Sequence, residues 1–196
     1  YNYNGTSWVQ IGQDIDGEAS GDRSHVPSLS SDGNTVAIGA PYNDGNGNNS
    51  GHVRIYNWNG SSWNQLGQDI DGEASDDQSG LSVSLSGDGG EIAIGAHQNN
   101  GNGNESGHVR IYNFNGTSWS QLGFDIDGEV SGDKSHLVSL SSNGNSVAIG
   151  APDNDGNGSE SGHVRVYSVG GVGYTSPPCS GCTDSLAVNY DPYSLI

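Results

Sequence analysis

Methionine is absent, cysteine occurs twice, and lysine and arginine together number 5 in a chain of 196 residues. Each scarcity excludes something. Both cysteines, Cys179 and Cys182, lie near the carboxyl end, so the rest of the chain must be stable without disulfides. Five basic residues against 23 acidic ones leave a net charge of −18. Such a surface repels nucleic acid and anionic membranes and suits cation-rich surroundings. No apolar run approaches the about 20 residues needed to cross a bilayer, so no membrane insertion is expected. Hydrophobic residues make up only 31%, yet they concentrate in short alternating runs, which argues for a folded chain rather than a disordered one. The chain opens at Tyr1 without an initiator methionine or signal peptide and reads as a processed chain or a fragment.

Against these absences stands one abundant feature, repetition. The stretch YNYNGTSWVQIGQDIDGEASG at 1–21 returns as YNWNGSSWNQLGQDIDGEASD from Tyr56 and as YNFNGTSWSQLGFDIDGEVSG from Tyr112. Its markers Trp8, Trp63 and Trp119 lie 55 and then 56 residues apart. A fixed period of this size means stacked supersecondary units.

One repeat resolves into four strand candidates. The first is 26–30, with counterparts at 81–86 and 137–141. A turn on Asp32-Gly33, Asp88-Gly89 or Asn143-Gly144 follows, a strong hairpin signal. The second strand is TVAIGAP at 35–41, EIAIGAH at 91–97 and SVAIGAP at 146–152. Val36 and Ile38 alternate with Ala37, giving a large-residue face and a small-residue face, as a sheet packed on both sides needs. A polar loop at 43–51, 99–107 or 154–162 leads to the third strand, HVRIY at 52–56 and 108–112 and HVRVY at 163–167. An Asn-Gly turn then opens the fourth, SWNQLGQDI or SWSQLGFDI. No segment shows helical periodicity. The expected fold is all-β, with tandem four-stranded antiparallel blades of the β-propeller kind.

The stretch SVSLSGDGGEIAIGAH…SGHVRIYNFNGTSWSQLG resembles the FG-GAP type of propeller repeat, also found in integrin α-subunit head domains. It is similar in particular to the Trp-containing variety of secreted marine bacterial and algal proteins. The markers are Gly39-Ala40-Pro41, Gly150-Ala151-Pro152 and the Trp-x-Gln-[IL]-Gly strand, and the resemblance covers about 1–169. The Phe-Gly that names the family is replaced by His25-Val26, Gly80-Leu81 and His136-Leu137. Integrin-like repeats carry a DxDxDG calcium loop in the first hairpin. This chain keeps only Asp-Gly or Asn-Gly there, so that calcium site is not carried over.

About three repeats are present where propellers close with about four to eight blades. The expectation is therefore part of a larger propeller or repeat array. After a Gly/Pro linker at 170–178, the segment 179–196 resembles the start of a GCTD-x-x-A-x-NYDP module common at the ends of secreted proteins. Cys179 and Cys182 have CxxC spacing, without the βαβ context of a redox motif or a second pair for zinc; disulfides are the default reading for a secreted chain.

Six N-x-[ST] sequons occur, at Asn4, Asn48, Asn59, Asn104, Asn115 and Asn157. Asn4, Asn59 and Asn115 share one place in the repeat, and Asn48 and Asn104 another; both places read as exposed loops. Glycan acceptance and plain Asn-Gly turn chemistry are the two readings.

The acidic cluster recurs as Asp14 and Asp16 with Glu18, Asp69 and Asp71 with Glu73, and Asp125 and Asp127 with Glu129. Carboxylates two residues apart offer oxygen to Ca²⁺, which takes 6–8 such ligands, but the rest of an EF-hand is missing. Alternatively one Asp of each set pairs with Arg54, Arg110 or Arg165. The loop at 43–47 offers further oxygens or simply a tight Gly/Asn turn. His52, His108 and His163 recur one per repeat, too far apart for a shared zinc; hydrogen bonding within each blade is expected. Trp8, Trp63 and Trp119 are expected to pack between blades. Trp58, with Tyr3 and Phe114 in its place elsewhere, fills a blade edge or stacks on sugar.

An evenly copied set of acids does not look like an active site, which is normally asymmetric. No enzyme is expected. The composition and the resemblance together point to an extracellular or cell-surface structural or adhesive module of a filament, appendage or matrix. Its expected partners are other extracellular subunits or glycans. A carbohydrate-binding propeller, Ca²⁺-dependent or not, is the alternative, and a propeller-fold hydrolase or lyase a third reading.

Overall fold

Each sheet of this protein is built to be buried on two sides, by the repeat before it and the repeat after it. The structure, a computed structural model, describes residues 1–169. The linker at 170–178, the segment 179–196 and with them Cys179 and Cys182 lie outside the described residues. Strands β1 (Asn2–Tyr3) and β2 (Trp8–Val9) form a short hairpin. The first full sheet holds β3 (Val26–Leu29), β4 (Thr35–Ala40), β5 (His52–Trp58), β6 (Trp63–Gln65) and β7 (Ile70–Asp71). The second repeats it with β8 (Ser82–Leu85), β9 (Glu91–Ala96), β10 (His108–Phe114), β11 (Trp119–Gln121) and β12 (Ile126–Asp127). The third has β13 (Leu137–Leu140), β14 (Ser146–Ala151) and β15 (His163–Ser168). All strand pairings are antiparallel, and the described residues contain no helix.

The hairpin signals act as expected. In the β3–β4 turn the Asp32 carboxylate accepts from the Asn34 and Ser30 groups, and Gly33 takes φ +72. Those donors hold the Asp32 carboxyl below its ordinary value, the Asn34 backbone N–H first.

One expectation needs correction. The fourth strand is not continuous. Gln65 pairs with Tyr56 and Ile70 with Val53, so 66–69 face only Arg54 and Ile55. This is a bulge, and Gly67 at φ +78 makes the turn a side chain would resist.

The alternation of large and small residues fixes which face meets which. Val53, Ile55 and Ala37 of the first sheet pack with Ile92, Ile94 and Tyr112 of the second. Ala93, Val109 and Ile111 of the second pack with Val147 and Ile149 of the third. Each sheet therefore turns its Val-Ile pair from the third strand forward and its aliphatic pair from the second strand backward. The core lies between repeats rather than inside one. Val164 and Val166, forward-facing in the last sheet, are 69% and 72% exposed.

The first strands of successive sheets approach closely. Ser28 Oγ accepts the Leu85 backbone N–H at 3.0 Å, and Ser82 and Ser84 do the same for Val138 and Leu140. A Cβ on Gly39 would lie 2.0 Å from the Gly80 carbonyl oxygen, and one on Gly95 1.9 Å from that of His136. The Gly of the Gly-Ala-Pro marker is thus where the next repeat touches.

Candidate functional site

If the Val-Ile pair of the third strand faces forward, period-two alternation sends His52, Arg54 and Tyr56 backward. There they meet the acidic segment of the preceding repeat. Arg54 Nη1 lies 3.4 Å from Glu18 Oε1, and Arg110 Nη1 lies 3.4 Å from Glu73 Oε1. Arg165 pairs with Glu129. The expected Arg partner was an Asp of the set; it is the Glu, as Glu18, Glu73 and Glu129 reach across the seam to the arginine of the next repeat. Arg110 also donates to the Asp71 backbone carbonyl at 2.9 Å, tying the second repeat to the first.

The histidines occupy the same seam. His52 and His108 are each 2% exposed. His52 Nδ1 lies 3.8 Å from Glu18 Oε2 of the preceding repeat and 3.8 Å from Asp69 Oδ2 of its own. His108 has the same two distances to Glu73 and Asp125. Their ligand atoms lie within 4.8 Å of one another in both groups. His163 has Glu129 Oε2 at 3.6 Å and is partly exposed. The expected hydrogen bonds within each blade are therefore replaced by a cluster drawn from two repeats.

Burial lowers the His108 pKa to about 4, with Arg110 adding to the effect and Asp125 opposing it. The imidazole is neutral at neutral pH. Burial pushes the Glu73 carboxyl up against the pull of Arg110, and pushes Asp127 up with help from Asp125.

The paired aspartates have different neighbours. Asp14, Asp69 and Asp125 each accept the amide of a glutamine four residues earlier, Gln10, Gln65 and Gln121. Asp71 and Asp127 lie instead against the polar loop of their own repeat, beside Gly45 and Gly101. Asp16 lines a small cleft with Ser24, His52, Arg54 and Tyr56. Among the described residues, the carboxylates gathered around a histidine are Glu18 with Asp69 and Glu73 with Asp125.

The polar loop closes on itself. Asn43 Oδ1 accepts the Gly45 N–H, Asp44 Oδ1 accepts the Asn49 N–H, and Asn46 reaches the Gly72 and Glu73 carbonyls. A hydrogen bond that sequence reasoning missed anchors it: Asn43, Asn99 and Asn154 donate to the buried carboxylates of Asp22, Asp77 and Asp133. The available signal was the spacing of those aspartates, which repeats the 55 and 56 residues of the tryptophans.

The indoles bridge repeats. Trp63 Nε1 donates to the Ile11 carbonyl at 3.1 Å and Trp119 Nε1 to that of Leu66 at 2.7 Å. Gln13 and Gln68 donate back to the Trp63 and Trp119 carbonyls. Trp119 is 4% exposed while Trp8, the first of the series, is 68% exposed. Tyr3, Trp58 and Phe114 each place a ring 5.1–5.4 Å from the tryptophan of their own hairpin. The sequon asparagines Asn4, Asn48, Asn59, Asn104, Asn115 and Asn157 are all exposed.

No curated protein matches the chain. Residues 70–112 match the family profile described as the FG-GAP repeat, a span running from β7 through β8 and β9 to Tyr112 in β10. The chain thus carries an FG-GAP-type repeat, set in an all-β array of antiparallel sheets.

Proposed function

We propose that this chain is a non-catalytic structural or adhesive module of an extracellular assembly, such as a surface appendage or matrix. The observation that carries the reading is that the contacts holding one repeat to the next recur along the chain. An indole on a carbonyl, an Arg–Glu pair and a Ser–amide bond recur with the period of the sequence. Chemistry invested in holding one repeat to the next is what a load-bearing or spacing element requires. The acidity and the exposed sequon asparagines favour an extracellular setting. FG-GAP repeats resemble integrin-type adhesive modules, which favours protein or glycan partners outside the cell. Against the glycan-binding alternative, the hairpin aromatics that suggested it each commit a face to a tryptophan of the same hairpin. The Trp-containing variety and the cysteine-bearing terminal module belong to the same reading.

The test is surface labelling of intact producing cells with an antibody against residues 1–169. Labelling without permeabilisation, lost after mild external proteolysis, supports the proposal. Signal confined to the cytosolic fraction removes it.

A further inference from the structure

We infer that each seam with a full set of donors binds one first-row divalent cation of the zinc class through one imidazole and two carboxylates. The first seam uses Glu18, His52 and Asp69, and the second Glu73, His108 and Asp125. This inference does not depend on where the protein resides.

Three observations carry it. The first is spacing. Nδ1 stands 3.8 Å from both carboxylate oxygens at both seams, outside hydrogen-bonding reach. Two ligands about 2.1 Å from a tetrahedral zinc lie about 3.4 Å apart, so the imidazole and each carboxylate need to close by only a few tenths of an ångström, and all three donors already lie within 4.8 Å of one another.

The second is burial. His52 and His108 are 2% exposed, and Nδ1 of each is turned toward two acids without bonding to either. A cation between the three groups would sit largely withdrawn from water, with an imidazole held in place by the packing around it.

The third is how the remaining oxygens are used. Glu18 and Glu73 give Oε1 to Arg54 and Arg110 and turn Oε2 to the histidine. Asp69 and Asp125 give Oδ1 to Gln65 and Gln121 and turn Oδ2 to the histidine. Each carboxylate thus has one oxygen held by a neighbour and one free, the outer-shell pattern that orients metal ligands. The two carboxylates of each set match the charge of a dication.

An imidazole donor suits zinc and its neighbours better than calcium, which seeks six to eight oxygens. The donor set also differs from the Asp-x-Asp pairs that the sequence brings forward: it takes one Asp of a pair and the Glu of the preceding repeat. The third seam is an internal control. His163 has Glu129, but among the described residues no second carboxylate completes the group.

The experiment is calorimetric titration of ZnCl₂ into the full chain at neutral pH. Cys179 and Cys182 are replaced by serine so that thiolates do not contribute. Two equivalents are expected, falling to one in D69N or D125N and to none in the double variant. Asparagine keeps the oxygen that accepts from the glutamine, so metal-free melting temperatures should stay within a few degrees of the parent. Should D69N or D125N melt early, H52Q and H108Q give the same reading. Cobalt should show ligand-field absorption that the double variant lacks. H97P, which removes a histidine outside both seams, should keep both equivalents. The proposal is overturned by the absence of saturable binding, by a stoichiometry that D69N and D125N leave unchanged, or by calcium displacing zinc at equal concentration.

Discussion

The indole nitrogen of Trp119 donates to the backbone carbonyl of Leu66 at 2.7 Å, and in doing so it crosses from one repeat to the one before it. The bulge at 66–69 is what leaves that carbonyl and the bare face of Gly67 available to the ring. The hydrogen bond and the burial act together, since a buried indole N–H without an acceptor would be penalised.

Trp119→Ala should cost about 3–5 kcal/mol, the range for emptying a large aromatic site in a packed core. Trp8→Ala should change stability by less than about 1 kcal/mol, because Trp8 is 68% exposed. Urea denaturation of the two variants checks the difference. Equal losses would mean the two indoles occupy equivalent environments.

Gly95→Ala should destabilise by roughly 1–3 kcal/mol, because its new Cβ would fall 1.9 Å from the His136 carbonyl oxygen and backbone must move. Gly150→Ala is its matched control. There the nearest atom is Leu137 Cβ at 3.3 Å, and little change is expected. Thermal melts of the pair separate a seam contact from a general intolerance of side chains at the marker glycine.

Asp77 is 2% exposed and accepts from Asn99 and from the Ala74 backbone N–H. Asp77→Ala leaves the Asn99 amide unmatched and should cost about 2–4 kcal/mol. Denaturant titration checks it, and a loss under about 0.5 kcal/mol would show that the loop holds without this anchor.

Acid sensitivity should come from His97 as well as from His108. Burial, then the neighbouring His136 and Lys134, lower the His97 pKa to about 4 from an ordinary value near 6.5. Nδ1 of His97 is buried without a hydrogen bond, and the His97 and His136 imidazole rings lie 5.3 Å apart, tilted by 51°. The unfolded chain binds the proton more readily, so stability is full above about pH 6.5 and falls as the pH drops toward 4. The other repeats have Pro41 and Pro152 at this place. His97→Pro should therefore fold and show a flatter melting temperature between pH 6.5 and 5. An unchanged slope would assign the acid sensitivity elsewhere.

The period, the four strands, the hairpin turns and the bridging role of Trp63 and Trp119 were legible because each is a local pattern copied along the chain; Trp8, expected in the same role, is exposed instead. Val36 and Ile38 against Ala37 even disclosed that both faces of a sheet are covered. What was not legible depends on contacts across a seam. Glu18 meets Arg54 and His52 only once two sheets are stacked, and nothing local distinguishes it from Asp14 or Asp16. The strand at 63–71 read as continuous because Gly67 looks like any glycine until its φ of +78 is known. Asp22, Asp77 and Asp133 stood in the sequence with the right period, masked by the abundance of acidic residues around them.

Hydrogen exchange of the four indole N–H protons tests the stacking of repeats most directly. The account predicts that Trp119 exchanges slowest, Trp63 more slowly than Trp8, and Trp8 at nearly the rate of a free indole. Equal exchange for Trp8, Trp63 and Trp119 would contradict it, because the three copies would then share one environment and no seam would exist.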